Sequence, residues 1–401
     1  MRNNRGPQST GDAFARADVV ILGGGIAGLW LLNAVLRAGF SAVVLNKGDL
    51  GEGQSIAAQG IIHGGTKYFN DTDISDLAPM PDRWRKSLLG EGGPDLRAAP
   101  VLADAMQMWL PAQFGSSIVA QFAKRSMLQT VRERGRDERP SVLPRSVDGN
   151  LFDVDEAVVD AQRVLQALYD LHLDHVCGVP DGHDIAIAER DGGGVEVTVG
   201  SLTIQAQRVV CTAGAGNEEL LAGAGLGKIK CQRRPLQQII VRGMPGPLFL
   251  HCIGRNPKPL ATITAHPDPG GGYYWYVGGL LAENGAGRPP EELIATAKAA
   301  LTRLLPGADF TTAQWATHVV DRAEPAAGAG VRPGSAMALA RGNVIIGWPT
   351  KLALAPVLAD KIMALLNQGY VQPGPQDLGA LGALPTPKVA RRPWQLVRQW
   401  T

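Results

Sequence analysis

Gly23, Gly25 and Gly28 stand in G-x-G-x-x-G spacing where the apolar run VVILGGG meets IAGLWLL. Glycines so spaced have separate uses. The first permits a sharp turn, the second lets a pyrophosphate approach the backbone, and the third permits close helix–sheet contact. A helix starting there offers unpaired N–H groups to a diphosphate. The implied chemistry is dinucleotide binding, against the plainer alternative of a tight structural turn. The next apolar segment, FSAVVLN, ends where an acidic residue would accept from ribose hydroxyls. Asn46 stands there, followed by Lys47. An asparagine still hydrogen-bonds a hydroxyl but brings no charge, and Lys47 would suit a 2′-phosphate, which keeps NADP open as a rival ligand. The chain has no H-E-x-x-H, no G-x-S-x-G and no close Cys/His cluster, so metal catalysis and hydrolysis receive little support.

The elements that must position these residues follow from pattern. ADVVILGGG reads as a strand covered on both faces, IAGLWLLNAVLRAG as a helix closing on Gly39, and FSAVVLN as a second strand. Together they make a right-handed βαβ unit with parallel strands. The glycine-rich DLGEGQSIAAQGIIHGGTKYF then has to pack against something bulky. Helices are expected between residues 80 and 139, through LRAAPVLADAMQMW and VAQFAKRSMLQTVRERG, with RERGRDERP as a solvated helix end and turn. LFDVDEAVVDAQRVLQALYDLH predicts a strand and then a helix capped near Asp153 or Asp155. QQIIVRG, ATITAHP and GGYYWYVGG suit a largely antiparallel sheet in a second domain. EELIATAKAALTRLLPG reads as a helix, GNVIIGW as a buried strand and LAPVLADKIMALLNQG as an amphipathic helix. The Pro-rich stretch after Pro373 is expected to wrap the surface.

With 401 residues, the chain suffices for two domains, or for one large α/β core with a cap. Apolar residues make up 45% and charged residues 19%, which supplies an ordinary globular core. The net charge of +2, from 39 basic and 37 acidic residues, argues against nucleic acid or a polybasic membrane contact. Cys177, Cys211, Cys231 and Cys252 are scattered, as in a reducing compartment. The opening MRNNRGPQSTGDAFARAD lacks the apolar stretch of a signal peptide. No run approaches the roughly 20 apolar residues of a membrane span. A cytoplasmic location is the expectation.

Four segments together resemble the D-amino acid oxidase superfamily of FAD-dependent oxidoreductases, with its glycerol-3-phosphate dehydrogenases, glycine oxidases and 2-hydroxyglutarate dehydrogenases. VVILGGGIAGLWLL looks like its FAD fingerprint, and SIAAQGIIHGGTKYF is similar to its flavin-facing segment, above all in the glycerol-phosphate and 2-hydroxyacid branches. VVCTAGAGNEELL resembles the strand and glycine turn that return to the cofactor, and GNVIIGWPTKLALAPVLADKI the final strand, flavin-contacting loop and helix. The resemblance implies an α/β fold: a Rossmann-like FAD-binding domain in discontinuous pieces, covered by a mostly antiparallel substrate domain. The expected division is an arm at 1–16, FAD-binding parts at 17–79, 151–232 and 325–372, a helical and substrate-domain segment at 80–150, a substrate domain at 233–324 and a tail at 373–401. It further implies that Ser55, Gly60, Gly64, Gly65, Gly214, Lys351, Leu352 and Ala353 lie beside the flavin, and it favours FAD over NADP.

The resemblance implies oxidation of a C–H bond beside an amine or hydroxyl, with hydride passing to flavin N5. The electron acceptor would be oxygen, a quinone or a protein. His63, inside GIIHGG, is the candidate acid/base or oxygen-binding group; the alternative is a histidine bonded to backbone beside the cofactor. Arg322, in THVVDRAEP, matches an arginine that faces substrate in carboxylate-handling relatives and could clamp a carboxylate with its fork. Pairing to Asp321 or Glu324 is the plainer reading. In GGYYWYVGG, alternation puts Tyr274 and Tyr276 on one face and Tyr273 and Trp275 on the other, one face for the active site and one for the core. His251 and His266 are further candidates, more simply structural. Lys67 and Arg255 could answer a phosphate or second carboxylate. The reading that results is oxidation of a small amino acid or 2-hydroxy acid. A glycerol-phosphate-like polyol dehydrogenase, an amine oxidase and a non-catalytic flavin scaffold are the alternatives.

Overall fold

The computed structural model describes residues 13–65, 75–112, 131–227, 229–254, 258–326 and 334–401. Two eight-stranded sheets organise these residues. In the first, the order is Met337–Arg341, Val344–Trp348, Leu202–Cys211, Ala13–Leu22, Ala42–Lys47 and Val176–Val179. The pairings from Val344–Trp348 to Val176–Val179 are all parallel. Met337–Arg341 closes one edge antiparallel, and the strands Val195–Val199 and Ile185–Glu189 fold back on the early half of Leu202–Cys211. The central strand runs apolar without alternation, with Val19 to Leu22 fully buried, because helices or loops cover both of its faces. The helix Ile26–Arg37 follows it and is buried on nearly every side. It packs against the helices Ala161–Asp170 and Ala355–Gln368. This is the expected βαβ unit, and the sheet is Rossmann-like.

The second sheet runs Gln314–Pro325, Cys231–Met244, Tyr273–Gly278, Pro259–Pro267, Leu250–Ile253, Met106–Pro111, Gly149–Val154 and Val131–Arg134. Every pairing is antiparallel except that of Leu250–Ile253 with Met106–Pro111. The helix Pro290–Leu304 places Leu293, Ala297 and Leu301 in the core with Val241, Trp275 and Trp315. On the opposite face, Ile240, Tyr274, Tyr276 and Ala316 pack under Trp394 from the tail.

Some expectations are corrected. LRAAPVLADAMQMW is not a helix; it holds the strands Val101–Ala103 and Met106–Pro111. Pro100 interrupts any helix, and the period-two burial of Met106 and Met108 around Gln107 governs instead. RERGRDERP is no helix end but the strand Val131–Arg134 followed by a single 3-10 turn at Arg136–Glu138. The helix at Ala161 is capped by Asp160, whose Oδ1 accepts from the N–H groups of Gln162 and Arg163 at 3.0 and 3.2 Å. Asp153 and Asp155 pair instead with Arg134 and Arg85. The strands Gly149–Val154 and Cys231–Met244 both belong to the second sheet, so the expected boundaries at 150/151 and 232/233 cut through strands. Residues 13–16 are not part of an arm, since they extend the first strand. The tail does cross both sheets: Arg16 N–H donates to the Asp377 carbonyl, Leu50 N–H to that of Lys388, and Thr401 exchanges backbone hydrogen bonds with Trp315.

Candidate functional site

A cleft opens where the parallel strands of the first sheet end. Gly23 takes φ +107°, a region that L side chains rarely adopt, and a Cβ there would lie 2.5 Å from Cα of Ala213. The two glycine turns therefore abut. A Cβ on Gly28 would sit 2.0 Å from the Gly23 carbonyl oxygen, so only hydrogen fits between helix and turn. Gly25 precedes the helix, whose first turn carries no acidic side chain to occupy the positive end of its dipole. Ser55 Oγ accepts from the Ile26 N–H at 3.0 Å. Gly214 lines the cleft with nothing within 4 Å of where a side chain would project. Such a main-chain cradle fits a diphosphate.

Asn46 and Lys47 also line this cleft, but their polar atoms are engaged elsewhere. Asn46 Oδ1 accepts from Gly24 N–H at 2.7 Å, and its Nδ2 donates to the carbonyls of Lys47 and Gly48. The residue ties the glycine turn to the end of the second strand. Lys47 Nζ lies 2.8 Å from Asp184 and 3.8 Å from Glu219. The hydrogen bond to Asp184 and the charge of Glu219 outweigh burial and raise its pKa. Those carboxylates are poor company for a 2′-phosphate.

A second pocket continues from the first, and Ile26, Gln54, Ser55 and Pro349 line both. Its walls come from the loop at 54–63, from Gln238 and Arg322 on the second sheet, and from Lys351 and Leu352. Gly60 is forced here: it has φ +73°, and a Cβ would meet the Val159 carbonyl oxygen at 1.9 Å. Gly64 shapes the loop by donating its N–H to Glu156 Oε1 at 3.2 Å, and Gly65 ends the described part of that loop. Gln59 Nε2 donates to the carbonyls of Thr262 and Tyr276, both at 2.9 Å, binding the loop to the second sheet. Thr350 holds φ +58°, a strained backbone for a β-branched residue, and its hydroxyl donates to the Ser335 carbonyl. Lys351 Nζ donates to the Gly334 carbonyl. Ala353 is buried, accepting at its carbonyl from Trp84 Nε1 at 3.0 Å.

His63 and Arg322 meet in this pocket. His63 Nδ1 lies 2.9 Å from Oε2 of Glu156, a wholly buried carboxylate. The histidine is thus hydrogen-bonded to a buried carboxylate. Arg322 Nε donates to the Arg234 carbonyl at 3.2 Å, and Nη1 lies 3.5 Å from Glu283 Oε1. Asp321 faces Arg233, and Glu324 faces Arg234. Burial raises the Glu283 pKa, yet Lys258, Arg322 and Arg234 together bring it below the ordinary range.

Other candidates fall elsewhere. Tyr276 is fully buried and its hydroxyl bonds Gln238 and the Ala57 carbonyl, so it supports the pocket from behind. Tyr274 stacks on Trp394 and Trp400 beneath the tail. The expected alternation is real, but the tail covers that face. His251 is fully buried, with Nδ1 2.9 Å from Thr262 Oγ1 and Nε2 3.5 Å from Glu156, and it supports the pocket rather than lining it. His266 packs on Trp394 with ring centroids 4.4 Å apart and the rings tilted by 40°, and burial pushes its pKa down to about 4. Lys67 and Arg255 lie outside the described residues. Sequence reasoning missed Glu156, Gln59 and Gln238. Of these only Gln238 carries a signal, a polar residue leading into the apolar run IIV.

Comparisons with known proteins follow the same lines. A family model described as FAD dependent oxidoreductase, the D-amino acid oxidase type, matches residues 18–360. A probable FAD-dependent oxidoreductase of Pseudomonas aeruginosa is 39% identical over 386 residues, spanning 94% of this chain and 97% of that protein. Its crystal structure matches with a TM-score of 0.82 at 38% identity, covering 97% of this chain and 99% of the other. A glycine oxidase from Geobacillus kaustophilus shares the fold, with a TM-score of 0.63 at 17% identity over 92% of this chain and 98% of its own. Among the described residues, no helix is long and apolar enough to cross a membrane.

Proposed function

The chain belongs to the D-amino acid oxidase family of FAD-dependent oxidoreductases, and from that premise we propose that it oxidises a small amino acid or 2-hydroxy acid. FAD is its cofactor, and it is a flavin-dependent redox enzyme. The glycine turns, Ser55 and Gly214 would hold the dinucleotide, and the 349–352 loop with Leu352 would border the ring. When bound, FAD supplies a two-electron acceptor for the hydrogen on the substrate carbon. The reading rests on one observation above all: His63 and Arg322 line a single pocket continuous with the dinucleotide cleft. The Arg322 guanidinium binds the substrate carboxylate and so orients the reacting carbon. His63 takes the proton from the amine or hydroxyl. Closure of the loop onto the sheet through Gln59 keeps bulk water out of that side.

Lys351 lines the same pocket, which supports one second reading, a phosphate-bearing polyol of the glycerol-phosphate branch. The test is an anaerobic screen for loss of the flavin band near about 450 nm. The substrates are amino acids of both hands, 2-hydroxy acids, neutral amines and glycerol phosphate. Bleaching by carboxylates, markedly slowed in Arg322→Met, is the expected result. Bleaching by neutral amines alone, unchanged in Arg322→Met, overturns the carboxylate reading, and bleaching by glycerol phosphate alone selects the second. Reoxidation of the reduced enzyme by air, a quinone or a carrier protein then identifies the acceptor.

A further inference from the structure

Behind His63 the pocket wall is a succession of hydrogen-bonding groups instead of apolar packing. Glu156 comes from the short link between the strands Gly149–Val154 and Val158–Val159, and its carboxylate is wholly buried. Oε1 accepts from Gly64 N–H at 3.2 Å. Oε2 lies 2.9 Å from His63 Nδ1 and 3.5 Å from His251 Nε2. His251 is itself fully buried, with Nδ1 2.9 Å from Thr262 Oγ1 on the second sheet. Removing a carboxylate from water is costly unless donors or an opposite charge meet it. A histidine with only a structural task could be fixed by a backbone carbonyl at far lower cost.

We infer that Glu156 is the positioning residue for proton transfer by His63, with the Gly64 N–H fixing its other oxygen and the His251 ring beside it. The inference deepens the proposed function and rests on the acid–base role given there to His63. Bonded to the carboxylate, His63 carries its proton on Nδ1, and Nε2 holds the lone pair that accepts from substrate. The substrate O–H or N–H bond breaks and its proton goes to Nε2. Bound FAD would be the two-electron acceptor for the hydrogen on carbon as the C=O or C=N bond forms. Glu156 takes no proton; its charge stabilises the imidazolium beside it, as a buried carboxylate does for a catalytic histidine elsewhere. The ligand atoms of His63, Glu156 and His251 also lie within 4.8 Å of one another, so a bound metal is the alternative to be separated.

The test uses holoenzyme labelled with 15N in its seven histidine rings, the His63 signal being identified by its loss in His63→Asn. The wild-type ring is expected as the Nδ1–H tautomer, and Glu156→Ala should shift it toward Nε2–H. Glu156→Gln serves the same comparison if the alanine variant loses FAD. With a substrate in hand, Glu156→Gln should lower the limiting rate of flavin reduction by about tenfold or more. Half-saturation and FAD content should stay unchanged, and Glu156→Asp should restore part of the rate. An unaltered His63 tautomer in both variants, an unaltered limiting rate in Glu156→Gln, or one tightly held metal ion per chain by elemental analysis overturns the inference. If no carboxylate substrate reduces the wild-type enzyme, the proposed substrate class falls, while the ring signal still decides the role of Glu156.

Discussion

Along the dinucleotide cleft, Gly23, Gly25 and Gly214 present main chain, and what fits there is decided within short stretches of sequence. Past Pro349 the pocket depends on side chains brought from far apart: His63, Glu156, Gln238, Arg322 and Lys351. The first region offers main chain that fits a dinucleotide, and the second offers side chains. Damage to the cleft should therefore abolish the holoprotein, whereas damage to the pocket should leave a yellow protein with altered chemistry.

The largest effect is expected from Gly28→Val, because even its Cβ would stand 2.0 Å from the Gly23 oxygen. Overpacking of this kind costs about 3 kcal/mol or more. The readouts are flavin absorbance per chain and thermal unfolding, and a stable, fully yellow variant would break the contrast. A pH effect should follow in the second sheet. His266 is neutral in the fold, with burial holding its pKa at about 4 against an ordinary 6.5. Between those values the unfolded chain binds the extra proton, so stability is complete above about pH 6.5 and falls until about pH 4. The loss amounts to as much as about 3 kcal/mol, and His266→Phe, still packed against Trp394, should flatten the profile of denaturant unfolding. Next in size is Arg322→Met, expected to keep FAD and to lose about 1.5–3 kcal/mol of transition-state binding for carboxylate substrates, read from kcat/KM. Smallest is Tyr276→Phe. Losing the hydroxyl's bonds to Gln238 and Ala57 should lower stability by about 1 kcal/mol in thermal unfolding, with flavin content unchanged.

Legibility in the sequence divides along the same line. The strand, glycine turn and helix at 19–37 could be read because each step is set by neighbours within a few residues. Arg322 and His63 could be singled out, but not their partners. Glu156 is 93 residues from His63 and sits among other acidic residues in DVDEA, so nothing local marks it. Sequence proximity makes Asp321 or Glu324 the simplest partner for Arg322. Strand geometry sets these carboxylates beside Arg233 and Arg234 as well, and a short helix brings Glu283 to Arg322. Met106–Pro111 was open to a helical reading because MQMWL is apolar enough for either period, and the tertiary sheet decided between them. Alternation pairs Tyr274 with Tyr276 on one face, but the cover of that face, Trp394, arrives from 120 residues later.

The abutting glycine turns have a consequence for how the molecule comes to be made. Thr212, whose turn closes against Gly23, is 190 residues downstream of Leu22, and Pro349, which joins cleft to pocket, is later still. A chain growing from its N-terminus therefore exposes its fingerprint long before the seat for the dinucleotide exists. The central strand Ala13–Leu22 must wait with one edge unpaired until Leu202–Cys211 emerges, the situation in which strands seek other partners. Sheets closed by such distant pairings form slowly. The supply of flavin during synthesis should accordingly govern the yield of soluble protein more strongly than it governs the activity of each molecule already folded.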